Sequence, residues 1–249
     1  MPAPVRAGDL TSVAQVEDHA SVCRLCRLCR ERTMVVTGSG PVDADVLVVA
    51  EAPGYHDDRE GRLLEAAPGE LFAEVLELAG ITREDIFLTS VVKCRPPTGR
   101  APFPDEVEAC EGWLFREIAL VQPRVVVTLG SLALRLVTGR QESIAEVHGE
   151  LQHVAVQDRD IVVWPLYHPG AALHVDRLAD ALRVDARALG LLLAGARSER
   201  STRERAREAR TPAVPAAELP TPVAMPAPAP STGATPHASD EPQLSFDVE

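Results

Sequence analysis

Polar side chains follow three apolar runs of the chain, at points where they could form one reactive pocket. Glu51 follows the first run, Ser90 and Lys93 lie at the end of the second, and His168 follows the last. When apolar runs form parallel strands, their carboxyl ends meet at one edge of the sheet, where ligands bind. A carboxylate at that edge is a candidate catalytic group. A single histidine in a loop is weak evidence, so the prediction rests on the convergence of several strand ends.

The elements that must position these side chains alternate between strand and helix patterns. Residues 46–49 are apolar and mostly β-branched, which is typical of a strand buried on both faces, and Pro53 and Gly54 end it. This alternation predicts an α/β fold with a largely parallel sheet. Predicted strands lie at 46–49, 86–92, 124–129, 151–156 and 161–166, the last two as a hairpin or sheet edge, and predicted helices at 11–22, 68–79, 104–121, 131–137 and 177–193.

The five cysteines indicate a second kind of site. Cys23 and Cys26 form a CxxC pair, Cys94 and Cys110 form a wider pair, and Cys29 makes the first set ambiguous because it forms a CxxC with Cys26. Four soft thiolates suit an iron–sulfur cluster or structural zinc, and buried cysteines without metal are the plain alternative. The wide spacing of the second pair is unlike that of zinc ribbons, which use two tight knuckles.

The charge balance excludes a generally basic nucleic-acid binder. The net charge is -12, so any contact with DNA must use a local basic patch. Five cations fall in loops near the predicted sheet edge, and ordinary solvated charges are an equally good interpretation of them. They are Arg59, Arg62, Lys93, Arg95 and Arg100.

Composition divides the chain into a folded domain at residues 1–196 and a tail at residues 197–249. The tail is rich in Pro, Ala and charged residues, and we expect it to be disordered. Residues 197–210 could extend the last helix, although a solvated linker is the favoured interpretation. No apolar run is long enough to span a membrane, so we expect a cytoplasmic monomer with reduced thiols.

Three motifs together resemble the iron–sulfur uracil-DNA glycosylases known as family four. They are EAPG at residues 51–54 with acidic residues after it, LTSVVKCRPP at 88–97, and YHPG at 167–170. The resemblance covers about residues 20–195. It implies a three-layer αβα sandwich, excision of uracil or a related deaminated base from DNA, and the start of base excision repair. It also implies a 4Fe–4S cluster held by Cys23, Cys26, Cys94 and Cys110, with Cys29 as the surplus thiol.

The resemblance also assigns roles at the sheet edge. Glu51 matches the carboxylate that places or activates water, and His168 matches the histidine that stabilises negative charge on the departing base. Asp57, with Ala52 and Gly54, matches the substrate pocket. The chemistry is coherent, because cleavage of an N-glycosidic bond leaves an anionic base and a cationic sugar. The target base must also be extruded from the duplex to reach such a pocket.

Two positions depart from the family pattern. Leu64 stands where the family has a phenylalanine that stacks on uracil, and Ser90 stands where it has an asparagine that bonds the uracil edge. Losing a stack costs about 1–3 kcal/mol, and losing a hydrogen bond about 0.5–1.5 kcal/mol. An alternative interpretation is therefore a glycosylase-like iron–sulfur DNA-binding protein with weak or lost catalysis.

The end of the chain contains a short apolar motif. Gln243, Leu244 and Phe246 imperfectly resemble the peptides with which bacterial repair enzymes dock on the sliding clamp. We expect this motif, at the end of a semi-extended Pro/Ala spacer, to tether the enzyme to the clamp.

Overall fold

The structure, a computed structural model, describes residues 7–156 and 159–210, with the backbone alone from residue 196 onward. The chain divides into two units, Met1–Ala206 and Arg207–Glu249, and the following description concerns the first. The predicted clamp motif and most of the predicted disordered tail lie outside the described residues. Within the described ranges, no helix is both long and apolar enough to cross a membrane.

The core is a five-stranded sheet in the order β2-β1-β3-β5-β4. Strand β1 pairs in parallel with β2 and β3, and β3 pairs in parallel with β5. Only β4 is antiparallel, forming with β5 the edge hairpin that the sequence predicts. The strands are β1 Val46–Ala50, β2 Ile86–Ser90, β3 Val125–Leu129, β4 Gln152–Val156 and β5 Arg159–Leu166.

Eight α-helices occur in the described residues: four match their predicted ranges, and three short ones, at 55–60, 144–147 and 169–172, were not predicted. The largest difference is the last helix, which continues to Arg210 instead of ending near residue 193. Residues 197–210 are therefore helical, and the favoured linker interpretation of this segment is wrong; its Glu, Arg and Ala residues are good helix formers. The helices are α1 Val13–Ser21, α2 Tyr55–Glu60, α3 Ala66–Leu78, α4 Pro104–Val121, α5 Ser131–Thr138, α6 Ile144–Val147, α7 Pro169–Ala172 and α8 Asp176–Arg210.

Alternate residues of the strands fill two separate cores, one on each face of the sheet. Val46 and Val48 of β1 pack in one core with apolar residues of α3 and α8. Leu47 and Val49 pack in the other core with residues of α1, α4 and α5. Because side chains alternate across a strand, a run that is apolar at every position requires a layer on both faces. The predicted three-layer αβα sandwich is confirmed.

A buried ion pair joins the exit of β2 to α4. Lys93 is 1% exposed, and its Nζ donates hydrogen bonds to Glu117 Oε2 at 2.7 Å and to the Ser90 carbonyl at 2.8 Å. Glu117 also accepts hydrogen bonds from the Thr89 hydroxyl at 2.6 Å and the Gly38 N–H at 3.0 Å. The charges are therefore compensated by a complete hydrogen-bond network, which a buried pair requires.

Removing one partner of this pair should destabilise the protein strongly. We expect Lys93→Met to lower the free energy of unfolding by about 3–5 kcal/mol, because Glu117 is left as an unpaired buried charge. The double variant Lys93→Met/Glu117→Gln, which removes both charges, should recover most of that loss. Urea unfolding followed by circular dichroism measures both effects. A loss below about 1 kcal/mol in the single variant, typical of an exposed pair, would contradict this account.

Candidate active site

The predicted catalytic side chains follow strands that are two positions apart in the sheet. Glu51 follows β1, His168 follows β5, and β3 lies between these strands with Gly130 directly after it. Because all three strands are parallel, these residues lie at the same carboxyl edge, and two strand spacings separate the outer strands by about 10 Å. This is also the point where the strand order reverses, which is the usual position of a ligand crevice.

Gly130, at the exit of the middle strand, lies beside His168. Its φ of +86° is a conformation that favours glycine. A Cβ atom at this position would lie 3.4 Å from the Cβ of His168. The middle strand therefore contributes backbone and no side chain to the floor of the candidate site.

Glu51 is half-buried at the exit of β1. Burial raises the pKa of its carboxyl group, and the nearby charge of Arg135 partly offsets this effect. The backbone around it is fixed, since the Val91 and Val92 N–H groups donate to the carbonyls of Ala50 and Glu51. The carboxylate is thus a more basic group than a solvated glutamate, on a backbone that the neighbouring strand exit holds in place.

His168 is the N-cap of α7, and its own helix sets its tautomer. The Gly170 N–H donates to His168 Nδ1 at 3.1 Å, so Nδ1 carries no proton and the neutral ring has its proton on Nε2. Burial lowers the pKa of His168, with the charge of Asp57 acting in the opposite direction. The ring is therefore a neutral hydrogen-bond donor through Nε2 at physiological pH.

Asp57 stabilises the turn after β1 and contributes a charge to the site. Its Oδ2 accepts the Gly54 N–H and its Oδ1 accepts the Glu65 N–H, both at 2.9 Å. Gly54 is the exposed N-cap of α2, and Ala52 is half-buried in the same turn. The carboxylate thus holds together the two ends of the segment between residues 54 and 65, close enough to His168 to influence its titration.

The five cysteines line one cavity, together with Arg32, Lys93 and Trp113. The Lys93 N–H donates to Cys110 Sγ at 3.3 Å, and Arg32 Nη1 donates to Cys94 Sγ at 3.1 Å. Burial raises the pKa of Cys26, Cys94 and Cys110, the last to about 12. Within residues 7–156 and 159–210, no three Cys, His, Asp or Glu side chains are grouped closely enough to hold one metal ion.

A model of the uracil DNA glycosylase superfamily matches residues 37–188, more than half of the chain. The chain belongs to the uracil DNA glycosylase superfamily. It is 35% identical to a type-4 uracil-DNA glycosylase of Sulfurisphaera tokodaii over 71% of this chain and 82% of the relative. It is 35% identical to the type-4 enzyme of Saccharolobus solfataricus over 69% of this chain and 82% of the relative. It is 41% identical to the type-4 enzyme of Thermotoga maritima over 54% of this chain and 70% of the relative.

The two positions that the sequence analysis predicts to depart from the family pattern, Leu64 and Ser90, are both enclosed. Leu64 is 5% exposed within the core that contains α3, and its φ of +56° is rare for a bulky residue. Ser90 is completely buried, and its hydroxyl donates to the Val92 carbonyl at 2.9 Å. The serine proton is therefore already used within the protein, which leaves the oxygen lone pairs as its means of bonding a base.

The predicted basic patch contains fewer free cations than the sequence suggests. The inclusion of Lys93 is wrong, because its ammonium group is buried against Glu117. Arg100 forms a bidentate ion pair with Glu106, in which Nη1 lies 2.7 Å from Oε2 and Nη2 lies 2.7 Å from Oε1. A lysine after a strand is usually a surface residue, and its buried partner lies 24 positions further along the chain, so the pattern could not show this pairing.

Three members of the predicted patch, Arg59, Arg62 and Arg95, keep at least part of their side chains exposed. Arg59 and Arg95 surround the exposed ring of Tyr55, a residue that the sequence analysis did not select. Its position four residues after Glu51, in a chain with only two tyrosines, was the available signal. Gly130 was also missed as a site residue, although it directly follows a predicted strand.

The tautomer of His168 can be measured directly. Nitrogen-15 NMR should show a neutral ring protonated at Nε2, with a pKa below the ordinary histidine value of about 6.5, because burial disfavours the cation. The His168→Gln variant assigns the signal. A ring protonated at Nδ1, or one whose pKa lies above the ordinary value, would be incompatible with the hydrogen bond from Gly170.

Proposed function

We propose that this chain is a DNA repair glycosylase that hydrolyses the N-glycosidic bond of uracil, or of a related deaminated base, in DNA. The observation that supports this most directly is that Glu51 and neutral His168 follow parallel strands at one sheet edge, on either side of the strand that ends before Gly130, in a member of this superfamily. A carboxylate and a hydrogen-bond donor at one edge suit a bond that breaks into a sugar cation and a base anion.

The two side chains divide the work of the reaction. His168 Nε2–H donates to a carbonyl oxygen of the base, which becomes negative as the base takes the electron pair of the bond. Glu51 stabilises the electron-poor sugar carbon and orients the water that attacks it, and its raised pKa suits it to accept the proton of that water. Asp57 maintains the turn that follows Glu51 after β1.

The base-recognition residues support a second candidate, a glycosylase-like DNA-binding protein with weak catalysis. The observation in its favour is that the Ser90 hydroxyl already donates its hydrogen bond to the Val92 carbonyl oxygen. A side chain that can only accept hydrogen bonds recognises a base less specifically than an amide does, because an amide both donates and accepts them. With Leu64, a branched aliphatic side chain, at the position expected to hold an aromatic ring, we propose that the pocket accepts uracil slowly or accepts other deaminated bases as well.

We propose that Cys23, Cys26, Cys94 and Cys110 hold a 4Fe–4S cluster. The cavity fits this group in three respects: its lining is rich in sulfur, backbone and guanidinium N–H groups reach two of the sulfur atoms, and Trp113 lines it too. The buried indole N–H of Trp113 has no hydrogen-bond acceptor among the described residues, and cluster sulfur would supply one. When bound, the cluster would stabilise the fold by holding α4 to the loops that precede it.

The remaining partners are proposals from the sequence. DNA containing a deaminated base is the substrate, the protein acts as a monomer, and Gln243, Leu244 and Phe246 attach it to the sliding clamp. We also propose a reducing compartment such as the cytoplasm, in which cysteine thiolates stay available as ligands.

Base release tests the function directly. Oligonucleotides with a single uracil, hypoxanthine or xanthine are incubated with the protein, and the resulting abasic sites are cleaved by alkali. We expect release from uracil by the wild type, a loss of about 10²–10⁴-fold in Glu51→Gln, and a loss of about 10²–10³-fold in His168→Ala. The wild-type rate should fall as the pH is lowered through the raised pKa of Glu51, because the carboxylate becomes protonated.

The control for this assay is His153→Ala, which removes an exposed histidine of the edge strand β4 and should leave the rate unchanged. If the wild type and His168→Ala release equal and negligible amounts of every base, the protein is not a glycosylase and the DNA-binding alternative stands.

Metal content tests the ligand set. Anaerobically purified wild type should contain iron and acid-labile sulfide, and Cys26→Ser, Cys94→Ser and Cys110→Ser should each lose most of both. Cys29→Ser is the matched control, since Cys29 lines the same cavity and is the proposed surplus thiol. Retention of iron in Cys26→Ser together with its loss in Cys29→Ser would assign the ligand role to Cys29 instead.

A further inference from the structure

An exposed aromatic ring surrounded by cations lies beside the candidate active site. We call Tyr55, His56, Arg59 and Arg95 the Tyr55 patch. The guanidinium carbons of Arg59 and Arg95 lie 5.7 Å and 5.6 Å from the centre of the Tyr55 ring. The His56 ring meets the tyrosine edge-on, with 5.4 Å between ring centres. Despite these contacts, Tyr55 keeps 57% of its surface exposed.

The patch is built by the same two strand exits that carry candidate site residues. Tyr55 begins α2, four residues after Glu51 at the exit of β1, and Arg95 follows Ser90 at the exit of β2. Asp58 fixes Arg95 in place, with 3.4 Å between Oδ2 and Nε, while the same carboxylate accepts the Thr33 N–H. The patch therefore has a fixed position relative to Glu51.

Arg59 holds the tyrosine from the other side. Its Nη1 donates to the Tyr55 hydroxyl at 3.3 Å, one helical turn away, and the rest of its side chain is exposed. An aromatic face between cations is the arrangement that binds single-stranded nucleic acid, because bases stack on the ring while phosphates bind the cations. In a chain with a net charge of -12, the other cations predicted for this edge are mostly neutralised, Lys93 by Glu117 and Arg100 by Glu106.

We propose that the Tyr55 patch binds the DNA strand next to the extruded nucleotide, with one base stacked on Tyr55 and its phosphates on Arg59 and Arg95. This inference rests on the proposed function, since it concerns the same DNA substrate. It adds a contact outside the base pocket, which anchors the strand and offsets the affinity lost through Leu64 and Ser90.

Phe103 provides a matched comparison within the same chain. It is also an exposed aromatic residue, 45% exposed, with the guanidinium carbons of Arg100 and Arg27 at 3.8 Å and 5.7 Å from its ring centre. There, however, the two cations pair with Glu106 and Asp105. Arg95 of the Tyr55 patch is also paired, with Asp58 through Nε at 3.4 Å, whereas Arg59 bonds the uncharged Tyr55 hydroxyl. The difference between the two aromatic sites therefore rests mainly on Arg59.

The experiment measures binding separately from catalysis. Fluorescence anisotropy gives the Kd of the full-length protein for a single-stranded oligonucleotide with one stable abasic-site analogue. We expect Tyr55→Ala to raise the Kd about five- to 150-fold and Tyr55→Phe to restore it, because a phenyl ring stacks as a phenol does. Phe103→Ala should change the Kd less than twofold. On a uracil oligonucleotide, Tyr55→Ala should raise KM much more than it lowers kcat.

Salt dependence tests the cations. Arg59→Gln should reduce the slope of log Kd against log salt concentration by about 0.7, the value for one phosphate contact on a single strand. An unchanged Kd in Tyr55→Ala, or equal weakening in Tyr55→Ala and Phe103→Ala, overturns the proposal even if base release is normal. If the wild type releases no base yet Tyr55→Ala weakens binding as expected, the proposed function fails and the Tyr55 patch stands.

Discussion

The buried interaction between Lys93 and Glu117 connects the parts of this protein on which both candidate sites depend. Through its ammonium group Lys93 bonds α4 and the end of β2, and through its backbone it bonds Cys110 and Val36. A buried charge is tolerated only where its partners are complete, so this network specifies how the β2 exit meets α4. The cysteine cavity and the sheet edge are consequently positioned by one shared set of contacts.

The chemistry of the sheet edge follows from parallel register and local turns. Parallel pairing of β1, β3 and β5 brings a carboxylate and an imidazole to one sheet edge, on either side of the strand that ends before Gly130. Local contacts then shift the pKa of each side chain toward the value that its proposed role requires. Burial makes Glu51 a stronger base, while the Gly170 N–H and burial keep His168 neutral with its proton facing away from its own helix.

Much of the fold could be predicted from the sequence, because doubly buried strands are apolar at every position and Gly and Pro mark their ends. The placement of Glu51 and His168 at a common edge follows from the same reasoning. The burial of Lys93 could not be predicted, since it depends on Glu117, a partner distant in sequence. The tautomer of His168 depends on one backbone N–H, and the cations around Tyr55 come from two strand exits. Neither feature could therefore be predicted from the neighbouring sequence.

The central claim is that Glu51 and His168 act on the same extruded nucleotide. Its most direct test is a crystal structure of the protein with DNA that carries one uncleavable deoxyuridine analogue. The account predicts the flipped base over Gly130, with His168 Nε2 within hydrogen-bond distance of a base carbonyl oxygen and Glu51 facing the sugar carbon. A base bound elsewhere, or one contacted by only one of these two side chains, would contradict it.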